Sequence, residues 1–260
     1  MINDFAPSQL GINHYKYVDD LTLCQTFSDL NECSNLQGEL NRLQQWSDSN
    51  KMKLNPAKCQ YMNICLQRNP AHIPPFVISD FQIQQTECMK LLGVYIQSDL
   101  KWDSQINNMC RNFNRRLYFL RQLKRSKVSV KNLLTVYVMY VRPTIEYACP
   151  VWYSGLSKAQ FVTLERLQKK AFRIILAGSV KPYKDICQEY GLPTITDRLE
   201  QLFLNFGKTL LDSKTYRHWL PQNRNNNLRN SNKMCTLRCR TSRYKNSCIP
   251  SLVDVLNKWN

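Results

Sequence analysis

Two adjacent carboxylates, Asp19 and Asp20, end the run Tyr17-Val18-Asp19-Asp20, and residues that favour extended backbone flank them: Tyr15, Tyr17 and Val18 before, Leu21, Thr22 and Leu23 after. The pattern reads as a strand, a tight carboxylate-bearing turn and a second strand. Such a turn offers hard oxygens to Mg²⁺, which accepts one or two protein carboxylates and completes its shell with water and phosphate oxygens. The same pair also suits a solvated turn with no ligand. Two-metal chemistry asks for more, since ions about 4 Å apart must be clamped between carboxylates from separate strands. One hairpin supplies one wall. Asp4 is a further acid nearby, but Asn3-Asp4 suits a turn or a cap.

The elements that must hold this hairpin are mixed α/β over residues 1–100. Ser28 or Asn31 is placed to cap a helix through Leu36, Leu40, Leu43 and Trp46, which fall on one face. Lys51 to Leu54 and Gln60 to Leu66 read as short strands around an Asn55-Pro56 turn. Pro70 and the stretch His72 to Pro75 mark a loop, and Phe76 to Ile83 and Lys90 to Ile96 read as hairpin-like strands.

From Asp103 the period becomes helical. Ile106, Cys110, Phe113, Leu117 and Leu120 recur at 4-3-4-3, with Asp103 or Ser104 as the cap, and Arg111 and Arg115 are stacked at i, i+4 on another face. Ser129 is expected to open a second helix through Leu133, Val136, Val138 and Tyr140 that stops at Arg142-Pro143. Ser157-Lys-Ala-Gln160 is a capping-box signature for a third, with Phe161, Leu164, Leu167 and Ile175 inward and Gly178 at its stop. Arg166, Lys170 and Arg173 lie on its other side at 4-3 spacing, a stripe that suits a phosphate track and equally a solvated face. Pro182 to Leu192 and Thr196 to Leu211 suggest two more helices, and the polar, Asn-rich stretch Asn223 to Lys233 a flexible connection.

Charge separates the two regions. Residues 1–100 hold 7 of the 36 Lys/Arg and 10 of the 19 Asp/Glu, a net of −3; the remaining 29 and 9 give residues 101–260 a net of +20. A basic surface attracts polyanions through counterion release, and a generally basic solvated surface has the same composition. The chain has no apolar run approaching a membrane span and no basic-then-apolar leader, so the expectation is a soluble intracellular protein, in nucleus or cytoplasm, that makes no membrane contact. Its 11 cysteines are odd in number and form no framework, which argues for reduced thiols. Only Cys235, Cys239 and Cys248 cluster, and zinc would need a fourth ligand, for which His218 is the sole His of that half and lies upstream.

Further segments follow the YVDD run in a fixed order: LQQWSDSNKMKLNPAKCQYMNI (43–64), LLGVYIQSDLKWDSQI (91–106), YVRPTIEYACPVWYSGLSKAQFVTLERLQKKAFRIIL (140–176) and RTSRYKNSCIPSLVDVLNKWN (240–260). In that order and spacing the chain resembles, over nearly its whole length, the C-terminal half of the reverse transcriptase of non-LTR retrotransposons, LINE-like elements of the jockey and CR1 type. In that family the palm begins well upstream, and MINDF (1–5) resembles the tail of a preceding palm segment. The resemblance therefore implies that the fingers and the first palm carboxylate lie outside this chain.

The fold so implied is α+β: a truncated polymerase palm of antiparallel hairpins plus a helix over 1–100, an α-helical thumb over 101–212 and a basic C-terminal segment over 213–260. The parent reaction would be RNA-templated DNA synthesis with Mg²⁺ as cofactor. Asp19 would be the metal ligand, Asp20 its supporting acid, Tyr17 a primer-side packing residue, and Lys58 the acid that protonates the leaving pyrophosphate. Leu92 and Gly93 would fall on the primer-gripping hairpin, and Arg111, Arg115, Arg166, Lys170 and Arg173 would meet nucleic acid. Cys59 stands where the family commonly has Thr, and Gln97 where it often has an acid. The partners implied are RNA and DNA as template and primer, and a fuller copy of the polymerase. The fragment alone is expected to be inactive, which leaves two other readings: a non-catalytic nucleic-acid-binding module and a non-functional transposon remnant.

Overall fold

The structure is a computed structural model that describes residues 5–6, 11–27, 33–67, 73–177, 181–223 and 233–259. Asp4, Ser28, Asn31, Pro70, His72, Gly178 and most of Asn223 to Lys233, singled out above, lie outside the described residues. The chain divides into two compact units, Met1–Leu100 and Lys101–Asn260. It mixes helices with small strand pairs, an α+β composition.

In the first unit, β1 (Ile12–Tyr17) and β2 (Asp20–Gln25) form an antiparallel hairpin, followed by α1 (Cys33–Ser49). Leu43 of α1 is buried with Phe5, and Leu21 and Leu23 of β2 pack on them together with Trp46, so one face of the hairpin is set by the helix. The helix's Leu36 and Leu40 turn to another cluster, of Cys33, Ile73, Phe76, Ile78 and Ile83. That cluster includes β4 (Val77–Ile78), which pairs with β5 (Phe81–Gln82). The Gln37 amide pins α1 to this hairpin, accepting from Val77 N at 2.9 Å and donating to Val77 O at 2.8 Å.

The strands expected at Lys51 to Leu54 and Gln60 to Leu66 shrink to β3 (Gln60–Tyr61), which pairs in parallel with β6 (Gln84–Gln85). The reason lies at the end of α1. Lys51 takes a left-handed φ of +54°, and Met52 N donates back to Ser47 O at 2.9 Å, a helix-terminating bond that consumes the residues assigned to a strand. Pro56–Lys58 is a single 3-10 turn. The last hairpin joins β7 (Cys88–Leu91) to β8 (Val94–Gln97).

The second unit is helical. α2 (Asp103–Arg125) buries Ile106, Met109, Phe113, Leu117 and Leu120 in a row. Its cap is Trp102 and not Asp103 or Ser104: Asp103 is already helical, and its carboxylate accepts from Gln160 Nε2 at 2.7 Å. α3 (Val130–Val136) starts at Ser129, whose hydroxyl accepts from Asn132 N. Contrary to the expected stop at Arg142-Pro143, the α register ends at Val136 and the chain continues coiled. Tyr137–Val141 forms a π turn and Arg142–Ile145 a 3-10 turn. Pro143 sits in the first turn of that 3-10 segment, where its missing N–H has no partner to lose.

After the short α4 (Cys149–Trp152), α5 (Lys158–Leu176) begins with the expected capping box of Ser157 and Gln160. α2 and α5 run side by side in the same direction. Asp103 meets Gln160, Asn114 meets Lys170, and Lys124 Nζ donates to Ile175 O at 2.7 Å. α6 (Tyr183–Glu189) and α7 (Ile195–Asp212) close the main core.

A polar seam runs through this core. Gln168 is hydrogen-bonded to the Tyr137 hydroxyl and donates to Tyr183 Oη and to Pro193 O, each at 2.9 Å. Tyr183 in turn donates to Glu165, which also accepts from Thr196 N and Oγ1 at the start of α7. Burial, then Glu165, pushes the Tyr183 phenol far above its usual range, so it stays a donor. A smaller cluster joins Phe203 and Leu210 of α7 to Leu220, Met234 and the last helix, α9 (Cys248–Trp259), through Leu252, Val253 and Leu256, with the short α8 (Ser242–Lys245) just before it. Among the described residues no helix is long and apolar enough to cross a membrane.

Candidate functional site

The hairpin register decides where the acids stand. Tyr17 is paired directly with Asp20, so only Val18 and Asp19 form the turn. Val18 has φ +57°, and Asp19 is not among the residues of positive φ. A positive φ at the first central position alone is the II′ pattern, where glycine is the usual occupant, and a β-branched residue there is strained. Pairing also sorts the faces: Tyr15, Tyr17, Asp20 and Thr22 share one side, and Tyr15 and Tyr17 are about three-fifths exposed at 61% and 62%. Leu21 and Leu23 take the other side, against α1. Asp19 and Asp20 are exposed, and among the described residues no side-chain hydrogen bond or ion pair engages their carboxylates. Asp19 therefore stands in an exposed turn and Asp20 at the start of β2, on strands anchored through Leu21 and Leu23 on the face opposite Asp20.

The remaining residues singled out in this unit are separate from that turn. Lys58 is exposed at the last position of its 3-10 turn, and among the described residues no ion pair joins it to Asp19 or Asp20. Leu92 and Gly93 are the two turn residues between β7 and β8, at φ +46° and +86°. Two left-handed residues in a row make a type I′ turn, which matches the right-handed twist of the strands. Among the described residues no group of three or more His, Cys, Asp or Glu gathers as a metal site, Cys235, Cys239 and Cys248 included.

In the second unit the cations singled out above lie on the neighbouring helices α2 and α5. Arg111 and Arg115 are exposed on α2. Arg166, Lys170 and Arg173 are exposed on α5, with Lys169 beside them, and Lys170 Nζ donates to Asn114 Oδ1 of α2 at 2.7 Å. Lys169 instead covers the Tyr183 ring, 4.9 Å from its centroid. The arrangement is a cationic surface over an apolar core, able to meet successive phosphates.

Several features escaped the sequence reading. The Arg116 guanidinium stacks 4.5 Å above the Tyr140 ring and donates to the carbonyl of the same residue, beside the exposed Phe119. The π turn creates that meeting, and no spacing rule for α-helices finds it. Glu39, on the helix that supports the hairpin, is fully buried and bonded to Arg42 at 3.0 Å. A third feature is an exposed pair of rings, Tyr216 and Trp219, on a 3-10 turn (Arg217–Trp219). Aromatic residues amid Lys and Arg in the run Lys214 to Trp219 were the available signal.

No family model and no solved structure matches this chain. Curated proteins do. The chain is 25% identical over 193 residues to the RNA-directed DNA polymerase from mobile element jockey of Drosophila melanogaster, covering 72% of the chain and 20% of that protein. It is 25% identical over 138 residues to the probable RNA-directed DNA polymerase from transposon X-element of the same fly, covering 52% and 15%. The jockey polymerase of Drosophila funebris is 24% identical over 201 residues, covering 75% and 21%. The chain thus spans about a fifth of the length of these relatives. These likenesses agree with the order of segments that follows the YVDD run: over half to three-quarters of its length the chain is similar to RNA-directed DNA polymerases of the jockey and X-element mobile elements.

Proposed function

We propose that this chain is a stretch of a retrotransposon reverse transcriptase, with the β1–β2 hairpin as part of the palm and the helical second unit as a thumb that holds template and primer. The observation that carries the reading is the hairpin tip, where the exposed Asp19 of the turn and Asp20 of β2 are adjacent on an anchored hairpin, in a chain similar to RNA-directed DNA polymerases. Exposed carboxylates without protein partners fit the donor set of Mg²⁺, which when bound would offset charge on nucleotide phosphates. Asp19 would supply the first ligand oxygen and Asp20 support it. Tyr17, on the Asp20 face, would pack beside the primer end, and Leu92 and Gly93 would grip the primer strand. Lys58 would carry the proton for the leaving pyrophosphate. Arg111, Arg115, Arg166, Lys170 and Arg173 would meet the backbone of the RNA–DNA duplex.

The chain by itself is not expected to polymerise, because the acid pair forms one wall of a site that needs two. Assaying nucleotide incorporation on a primed RNA template with Mg²⁺ or Mn²⁺ tests this. Incorporation by the wild type that disappears in Asp19→Asn would overturn the inactivity, whereas failure of the chain to bind a labelled RNA–DNA hybrid would overturn the reading as a whole. The net charge of +20 over residues 101–260 also favours a second reading, a nucleic-acid-binding module without catalysis. Under it, hybrid binding is the same in Asp19→Asn and wild type with or without Mg²⁺.

A further inference from the structure

We propose that the turn carrying Tyr216 and Trp219 is a stacking platform for the unpaired bases of single-stranded nucleic acid, a contact distinct from the cationic stripe on α5. The inference rests on the reading of the second unit as a nucleic-acid-binding surface.

Two large rings stand in the open here. Tyr216 and Trp219 are each 48% exposed, with centroids 4.9 Å apart and planes tilted by 50°, and His218 meets Trp219 edge-on at 6.2 Å. Exposed aromatic surface of this size costs solvation free energy unless something covers it. The rings are also fixed in place. Trp219 N donates to Tyr216 O at 3.0 Å, Arg217 N to Ser213 O at 3.0 Å, and Tyr216 N to Ser213 Oγ at 3.1 Å. Leu220, the next residue, is buried in the cluster with Phe203, Leu210, Leu252 and Leu256. Backbone and anchor are set before any partner arrives, so little conformational entropy remains to be lost on binding.

Charge narrows the choice of partner. The run Lys214, Tyr216, Arg217, His218, Trp219 lies in the half of the chain with a net charge of +20, which draws polyanions. Phosphate contact is nevertheless not the main offering of this turn. Arg217 uses Nη1 internally, donating to Leu220 O and Pro221 O at 3.1 Å each, which braces the turn. The turn therefore presents rings more than charges. Bases supply the matching π faces, and stacking on aromatic side chains tolerates any sequence. Trp259, the other strongly exposed Trp, differs: the Lys208 ammonium lies over its ring, 3.6 Å from the centroid.

The test uses the full chain and two labelled strands of equal length and phosphate number, oligothymidine and an abasic analogue, titrated at several salt concentrations. Trp219→Ala and Tyr216→Ala are each expected to weaken binding to oligothymidine about five-fold or more. Binding to the abasic strand and the salt slope should stay as in wild type. Trp219→Leu keeps apolar bulk and removes the aromatic face, so it should behave like Trp219→Ala while melting at the wild-type temperature. Equal loss on both strands, or changes within about two-fold on both, would overturn the platform and leave the turn as a structural or protein-docking element. If wild type binds neither strand, the nucleic-acid reading of the unit fails and the platform fails with it.

Discussion

Lys170 Nζ donates to Asn114 Oδ1 at 2.7 Å and ties the middle of α5 to the middle of α2. The ammonium has two more protons to offer, so the tether orients the cation and leaves it available to a phosphate. Arg166 and Arg173 flank it, exposed on the same side.

If these three side chains meet phosphates, replacing all of them by Gln should reduce the salt dependence of binding. Gln keeps helix propensity close to the original and removes three charges. With roughly 0.7 to 0.9 counterions released per phosphate, the slope of log affinity against log salt should shrink by about two to three. Titration of the full chain and the triple variant against a labelled oligonucleotide measures it. An unchanged slope would identify the stripe as a solvated face.

Val18 offers a test of the hairpin tip. Its φ of +57° costs a β-branched residue about 1–2 kcal/mol, and Gly would remove that cost while adding up to about 1 kcal/mol of unfolded-state entropy. Val18→Gly is therefore expected to leave stability unchanged or raise it by up to about 1 kcal/mol. Val18→Pro, locked near φ −65°, should lower it by about 2 kcal/mol or more. Urea melts that place Gly well below wild type would show that the turn is not left-handed at this position.

Gly155 lies against the ring of Trp102, the residue that caps α2. A Cβ at position 155 would stand 2.4 Å from Trp102 Nε1 and 2.8 Å from Cδ1. A rigid indole cannot give way as the end of an aliphatic chain can. Gly155→Ala should cost about 1–3 kcal/mol, and combining it with Trp102→Leu should recover part of that loss as a coupling energy. Strict additivity in the double-mutant cycle would contradict the contact.

Two thiols report on burial in the second unit. Burial first, then Glu146, pushes Cys149 up to about 12, and burial pushes Cys248 up to about 11. Below pH ~9 folded and unfolded chains both hold these protons, and the stability linked to them is fully present. As pH rises toward 11–12 the unfolded chain has released protons that the folded chain still retains, so stability should fall through that window. Urea midpoints measured from pH 8 to 10.5 should decline, and less steeply in Cys149→Ala/Cys248→Ala. At pH 8 the exposed Cys235 should alkylate far faster than the buried Cys149, and faster than the half-buried Cys248.

Periodicity was most legible where one apolar stripe faces one core. The row Ile106, Phe113, Leu117 and Leu120 and the Ser157–Gln160 capping box are local signals, and tertiary packing did not override them. The short strands were less legible, because a two-residue strand carries no period and Lys51 was recruited to end α1. Asp103 has every property of a cap, yet its carboxylate went to Gln160, a partner 57 residues away. A hairpin here could be placed from the neighbours of Asp19 and Asp20 alone, although only Asp19 lies in its turn and Asp20 opens β2. The strained Val18 between them and Tyr17 could not, since valine is not the residue that position favours.

The same-direction pairing of α2 and α5 has a kinetic consequence. At 1.5 Å per residue α2 is about 34 Å long, and the chain between the two helices must travel back over that length before α5 can start beside Asp103. The bonds joining them, Asp103 to Gln160, Asn114 to Lys170 and Lys124 to Ile175, all bridge more than fifty residues. An up-and-down bundle zips together between sequence neighbours. This unit must close long loops first, which places its folding toward the slow end for helical proteins. Until α5 arrives, Phe113, Leu117 and Leu120 lack their full cover, and a nascent chain emerging from the ribosome would spend that interval open to aggregation.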